Sequence, residues 1–352
     1  MELQTFIDNN PNWLELMKEN NLKIRKYNKY NCVLISHYYN KPLNYENEDE
    51  YWKMYCRGAI IKDNRVICVP PVKSKEITLD YQESGDYEYQ YLIDGTMINL
   101  FYIDNKWLIS TRSEIGGYNK WKDKKSFRKM FDECVNFDIN TLNKEYSYSF
   151  VMRHVDNVNI SSVTQNEIYL VELYNLKDLQ RVSNEQYPNN IQAIQNIQPI
   201  DSNILKLNCL DFQFKGITIK QGTKRYKYIN PLFTEVSELI KHSNNPLIDY
   251  LELRKNGNLK KYLQYFPKKN KVFNKYRDQI HELTNELYSK YKNVYVFKKE
   301  ERNTLPYHLK PFISEIHQVY KSTGVPLSFH FVKDYIHNLP SKRIVFSLQN
   351  KK

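Results

Sequence analysis

Apolar and polar residues alternate through the first part of this chain, whereas in the last part apolar residues recur every three to four positions, so the pattern predicts strands followed by helices. Residues 12–20 read as an opening helix with Pro11 at its start, where a missing N–H is tolerated. Cys32-Val33-Leu34-Ile35-Ser36 is a β-rich run. Ala59-Ile60-Ile61 and Arg65-Val66-Ile67-Cys68-Val69 flank an Asp63-Asn64 turn, and Met97 to Tyr102 and Trp107-Leu108-Ile109 flank a similar turn at Asp104-Asn105, the signature of two hairpins. Residues 126–134 form a helical pattern with Phe127, Met130 and Phe131 on one face. Further strands are expected at 169–173 and 217–219, and residues 184–202, rich in Asn, Gln and Pro, read as a surface loop. Beyond Pro231 the period is helical: Val272, Tyr276, Ile280, Leu283, Leu287 and Tyr291 mark one long amphipathic helix. Phe312, Ile316 and Val319 mark another, ended near Gly324-Val325-Pro326, and residues 329–338 a last one. The change of period divides the chain into 1–235 and 236–352.

Composition narrows the class. The 352 residues are enough for one large or two ordinary domains with a substantial core. A net charge of +12 favours an anionic partner. Thirty tyrosines stand against nine glycines, and the wealth of Asn, Lys, Ile and Tyr fits an AT-rich coding sequence, which accounts for part of the lysine and tyrosine content. The five cysteines, Cys32, Cys56, Cys68, Cys134 and Cys209, have no metal-binding spacing and fit reduced, buried thiols. No metal site is expected. The amino terminus lacks a secretory pattern and no apolar run reaches membrane-spanning length, so the expectation is a soluble, intracellular protein with no membrane partner.

The sequence Tyr91-Leu92-Ile93-Asp94-Gly95-Thr96 resembles the Lys-x-Asp-Gly motif of the covalent nucleotidyltransferases, with Leu92 where that motif has its lysine. Further elements follow in the order found in phage-type RNA ligases. Cys56-Arg57-Gly58-Ala59-Ile60-Ile61 and Val69-Pro70-Pro71-Val72-Lys73 resemble the Arg-Gly and Pro-x-x-Lys elements upstream of the nucleophile. Ser110-Thr111-Arg112-Ser113, Ser149 to Asn157, Phe214-Lys215-Gly216-Ile217 and Tyr226-Lys227-Tyr228-Ile229-Asn230-Pro231 resemble the segments downstream of it. The chain thus resembles the phage-type RNA ligase-like family of the covalent nucleotidyltransferase superfamily, nearest to RNA-ligase-like proteins of large eukaryotic DNA viruses. This implies an α+β fold: a nucleotidyltransferase domain of antiparallel sheets with helices over 1–235, then an all-helical, basic domain over 236–352. It also implies host cytoplasm or a virion as the setting.

The departures fall on the positions that do chemistry. In that family the lysine amine attacks the nucleotide's α-phosphate; Leu92 has no lone pair to attack with. A motif glutamate is replaced by Val151, another near the metal by Lys215, and the second lysine of the closing Lys-x-Lys by Ile229. No catalytic residue is therefore expected. The residues that the resemblance assigns to a nucleotide or phosphate are Arg57, Lys73, Asp94, Gly95, Arg112, Lys215 and Lys227, with Asp94 and Gly95 also explicable by turn geometry.

The sharpest charge feature lies in the second part. Nine cations, Arg254, Lys255, Lys260, Lys261, Lys268, Lys269, Lys271, Lys275 and Arg277, occur without an intervening acidic residue, interleaved with Tyr262, Tyr265 and Phe266. Cations for phosphates and rings for bases suit single-stranded RNA. The alternative is that the rings face the core and the lysines only solvate two helices. The leading reading is an RNA-ligase-like protein that binds RNA, or an RNA or nucleotide 5′ end, without ligating it. Two others stay open: an active ligase using ATP and Mg²⁺, with Leu92 engineered or Lys73 or Lys75 as nucleophile, and a structural virion component.

Overall fold

The computed structural model describes residues 2–38, 48–78, 87–120, 125–194, 196–197, 208–240, 243 and 245–351. Two compact units emerge, Met1–Glu235 and Val236–Lys352. The first is α+β with predominantly antiparallel sheets, and in the second the described elements are helical.

The first unit opens with α1 (Glu2–Asn9) and α2 (Trp13–Glu19). Their Leu3, Ile7, Trp13 and Met17 enter a core shared with Ile35, Trp52, Tyr55 and Ile61. The first sheet runs β1 (Leu22–Tyr27), β2 (Cys32–His37), β3 (Ala59–Lys62), β4 (Arg65–Cys68) in sequential antiparallel order. Two short strands, β5 (Lys75–Glu76) and β6 (Glu88–Tyr91), precede the hairpin of β7 (Thr96–Ile103) and β8 (Lys106–Ser110). Both Asp-Asn turns have positive φ at both residues: 49° and 59° at Asp63 and Asn64, 47° and 60° at Asp104 and Asn105. These angles suit the twist of two-residue hairpins, and Asn and Asp tolerate them better than most residues.

A helix, α3 (Phe127–Cys134), follows, capped by the Ser126 hydroxyl accepting from the Lys129 N–H. Its Phe127, Met130 and Phe131 pack onto Tyr148 and Phe150 of β9 (Tyr146–Arg153) and Leu170 of β10 (Glu167–Asn175). Each such buried side chain stabilises the packing by roughly 1.5–3 kcal/mol. The second sheet has the order β10-β9-β7-β8. The third is β11 (Asn196–Ile197), β6, β12 (Gly216–Gln221), β13 (Lys224–Ile229) and β5, with β13 and β5 its parallel pair. The loop expected over 184–202 holds a short 3₁₀ turn, Asn184–Gln186, and β11; its residues 195 and 198–202 lie outside the described residues.

Helix α4 (Pro231–Leu239) leads into α5 (Pro246–Lys255), α6 (Leu259–Tyr265) and the long α7 (Asn270–Tyr291). Then come α8 (Lys310–Thr323), ended by Gly324 at φ 66°, and α9 (Phe329–Asn338). Three expectations need correction. The helix expected first, over 12–20, is the second, since α1 precedes it. Val272 is 39 % exposed while Phe273 is buried with Ile280, Leu283, Leu287 and Tyr291. At about 100° per residue Phe273 stands roughly 20° from Ile280 around the helix and Val272 roughly 80°, so Phe273 carries the stripe. Residues 329–338 are also not the last helix: α10 (Ser341–Gln349) follows Pro340 and buries Ile344 and Val345. No described helix is long and apolar enough to cross a membrane. Cys32, Cys56, Cys68 and Cys134 are buried free thiols, and Cys209 is half-buried; burial pushes the Cys68 and Cys134 thiols up to about 12.

Candidate functional site

A cavity of about 330 Å³ in the first unit is lined by Leu92, Arg57, Lys73, Arg112, Lys215 and Lys227, together with Arg225 and Ile229. Leu92 thus shares one wall system with every cation that the motifs singled out in this unit. No aspartate or glutamate lines it among the described residues.

Local structure explains the gathering. Arg57 follows the short helical turn Glu48–Tyr55, and Gly58 holds φ at +116°, a value that favours glycine. A Cβ on Gly58 would lie 3.0 Å from the Arg112 Cα, so its lack of a side chain is what lets Arg57 and Arg112 converge. The segment before Lys73 is held from below: the Val69 N–H donates to the Ser147 Oγ at 2.9 Å. Lys215 precedes β12 at Gly216, whose φ of +144° and close approach to the Tyr228 carbonyl admit no Cβ. On β13, alternation puts Arg225, Lys227 and Ile229 on the cavity face and Tyr226 and Tyr228 in the opposite core. Leu92 lies between β6 and β7, its N–H donating to the Gly216 carbonyl at 2.9 Å.

Asp94 and Gly95 do not line the cavity. One Asp94 oxygen accepts from the Ile160 N–H (2.7 Å), the Ser161 N–H (3.0 Å) and the Ser161 hydroxyl (3.2 Å); the other pairs with Lys215 Nζ at 3.3 Å. The carboxylate therefore ties a neighbouring loop to the cavity wall. Gly95 serves close packing: a Cβ there would lie 2.5 Å from the Met152 carbonyl oxygen and 2.9 Å from Val151 Cγ2. Val151 itself is buried with Val171 and Ile194.

The electrostatics are those of crowded cations. Burial, then the charges of Arg57 and Lys227, lower the Lys73 ammonium below the ordinary lysine range. Lys227 pairs with Glu76 at 3.2 Å, and Lys215 lies 5.4 Å from the Phe233 ring centroid. Behind the wall, Arg225 pairs with the buried Glu172, which also lies 3.5 Å from Lys220 Nζ. Burial lowers Lys220 to about 8, although Glu172 opposes that shift. His37 is pushed down to about 4 by burial, partly offset by its hydrogen bond to the Lys53 carbonyl, with Arg57, Lys73 and Arg112 adding to the depression. Sequence reasoning missed Arg225 and His37. Arg225 is recoverable from strand alternation with Lys227; His37 carries no sequence signal, because the charges it feels come from distant segments.

In the second unit, Lys255, Lys260, Lys261, Lys268, Lys269, Lys271, Lys275 and Arg277 are exposed and Arg254 is half-buried. Arg277 pairs with Asp278, and Lys255 Nζ donates to the Asn338 carbonyl. Tyr262 is half-buried against the helical core, stacked on Phe273 at 5.6 Å and 4.8 Å from Phe266. Its ring thus packs inward, while Tyr265 is half-buried. Among the described residues no group of three or more His, Cys, Asp or Glu is placed to hold a metal ion.

No family model matches the chain. It is 22% identical over 237 residues to the "Immediate-early protein ICP-46 homolog" of Invertebrate iridescent virus 3, covering 63% of this chain and 52% of that protein. The chain therefore spans about half the length of that relative. Among solved structures it is similar to a putative ATP-dependent DNA ligase from Aquifex aeolicus, with a TM-score of 0.47, 13% identity and coverage of 82% of this chain and 77% of that one. It is similar to an archaeal ATP-dependent RNA ligase, at 0.47 and 10% identity over 65% and 63% of the two chains. A Naegleria gruberi RNA ligase with PPi gives 0.31 and 12% over 43% and 51%.

Proposed function

We propose that the chain is a catalytically silent, RNA-ligase-like protein that binds RNA, or the phosphorylated 5′ end of an RNA or nucleotide, without joining it. The observation that carries this reading is Leu92 in the wall of a cavity that six cations line. Covalent nucleotidyl transfer needs a nucleophile and a way to neutralise developing charge. Leu92 removes the first at the motif position. The cations still suit an anion, with Arg offering planar, paired donors for phosphate oxygens. The exposed cations of 254–277 support RNA as the larger ligand, acting through its phosphates; the inward packing of Tyr262 leaves base stacking a smaller share.

A second reading has its own support. Lys73 lines the same cavity, and its ammonium is lowered by burial, Arg57 and Lys227, the kind of setting that makes a lysine nucleophilic. Intact mass after incubation with ATP or GTP and Mg²⁺ or Mn²⁺ separates the two. The silent reading expects no nucleotide-sized increase on the natural chain, together with retarded migration of single-stranded RNA. An increase that maps to Lys73 overturns it in favour of a working enzyme. In the Leu92→Lys variant, an increase means that Leu92 alone silences an otherwise competent cavity; its absence means that Val151 and Lys215 silence it too.

A further inference from the structure

The lining of the cavity does not fit the divalent metal that nucleotidyl transfer uses. Mg²⁺ requires near-octahedral oxygen ligands and is normally held through one or two carboxylates. Among the described lining residues the only side-chain oxygens are those of Ser74 and Asn99. The Asn99 oxygen already accepts from the Ser149 hydroxyl at 2.9 Å. Asp94, beside the cavity, has one oxygen engaged by three loop donors and the other by Lys215. The charge at this end of the cavity is supplied by a lysine of the protein.

We infer that the cavity takes a polyphosphate group, free or at the end of a nucleotide or RNA, and takes it without a divalent metal, so that Mg²⁺ competes with the protein for the ligand. This rests on the anion-binding reading above. Six cations reach the cavity from five chain segments, around Arg57, Lys73, Arg112, Lys215 and the β13 pair Arg225 and Lys227. That is more than the three oxygens of one phosphate can engage, and it suits an anhydride chain of several phosphates. A terminal phosphate carries about −1.5 to −2 charges at neutral pH, and roughly one more comes with each added phosphate. Mg²⁺ bound to such a chain cancels two of those charges and brings its own positive charge toward a wall that stays cationic even with Arg225, Lys215 and Lys227 paired to Glu172, Asp94 and Glu76, so the attraction falls.

The test is calorimetric titration of the full chain with sodium tripolyphosphate, at low salt, in EDTA and then in excess MgCl₂. The expected result is binding in EDTA that weakens at least tenfold in Mg²⁺, with inorganic monophosphate at least tenfold weaker than tripolyphosphate. Lys215→Glu, which puts a carboxylate beside Asp94, is expected to lose affinity in EDTA and regain part of it when Mg²⁺ is added. Should that variant fail to fold, Lys215→Gln and Arg112→Gln serve instead, each expected to weaken binding about tenfold in EDTA. Parallel titrations with ATP and a 5′-triphosphorylated RNA assign the source, the tighter of the two being the natural form. Binding that needs Mg²⁺, is tightened by it, or is equal for mono- and tripolyphosphate overturns this inference and leaves the anion-binding reading intact. Absence of binding in EDTA and in Mg²⁺ alike overturns both.

Discussion

Replacing Glu172 with Gln tests how the cavity wall is held. Glu172 and Lys220 are each only 2 % exposed, and Arg225 meets the same carboxylate. Burial alone would raise that carboxyl, yet Arg225, Lys220 and Arg181 outweigh it and hold the group below the usual carboxylate range. At the 3.5 Å separation from Lys220, one pair contributes about 5 kcal/mol at an effective dielectric constant near 20. The Arg225 pair adds a similar amount, and relief of carboxylate desolvation on neutralisation offsets several kcal/mol. The expected net loss is about 3–5 kcal/mol, as for other buried pairs that lose one partner. Gln keeps the shape and one acceptor, which favours the lower end. Urea unfolding followed by far-UV circular dichroism reads the change as a lower midpoint at constant slope. Lys220→Met removes the same pair and the bond to the Val171 carbonyl, but it relieves the burial of the amine and leaves Arg225 and Arg181 on the carboxylate, so it is expected to cost less than Glu172→Gln, about 1–3 kcal/mol, and the double variant less than the sum. A loss below about 1 kcal/mol for Glu172→Gln refutes the view that this carboxylate holds the surrounding cations together.

His37 makes stability depend on pH. Its folded pKa of about 4 lies below the ordinary 6.5, so between those values the unfolded chain binds the proton and the folded one does not. Stability is therefore expected to fall as pH drops from about 6.5 to about 4, by at most roughly 3 kcal/mol, and His37→Gln should flatten that share of a melting-temperature profile. Gly95→Ala should lower stability by about 1–3 kcal/mol, because the added Cβ meets the Met152 carbonyl at 2.5 Å; an unchanged melting temperature shows that the strand can yield. RNA affinity should decline with salt along a log–log slope of about −0.7 per phosphate neutralised, and Lys268→Glu with Lys269→Glu and Lys271→Glu should make that slope shallower. A flat salt response removes the basic strip from the binding surface.

The hairpins were legible because Asp63-Asn64 and Asp104-Asn105 each carry the local demand for positive φ in their own chemistry. The shared face of Phe127, Met130 and Phe131 announced α3, and the Ser126 cap that fixes its start went unread. Val272 misled because it stands four residues from Tyr276 while Phe273 stands three, and spacing alone cannot choose between neighbours that both extend a stripe. Helix α1 escaped notice because it packs through only a few apolar positions, Leu3 and Ile7 among them, within a polar segment. At the site, the motifs brought Arg57, Lys73, Arg112, Lys215 and Lys227 to attention one by one. Their convergence on a single cavity depends on the tight approaches at Gly58 and Gly216, which are three-dimensional facts. Asp94 and Gly95 stood beside them in sequence but face a loop and a strand.

The buried knot behind β13 bears on how the cavity meets a ligand. Arg225 is gripped from the rear by Glu172, and Glu172 is in turn beside Lys220, whose amine donates to the Val171 carbonyl at 2.9 Å. A guanidinium held in this way has surrendered most of its rotamer freedom before any ligand arrives. Binding to it then forfeits little further side-chain entropy, whereas a solvated lysine must be ordered at each encounter. One part of the wall is a template and another, at exposed Arg112, is adaptable. Discrimination between anions of different length is thus expected to reside in the template, and tolerance for the group attached beyond the phosphates in the adaptable rim.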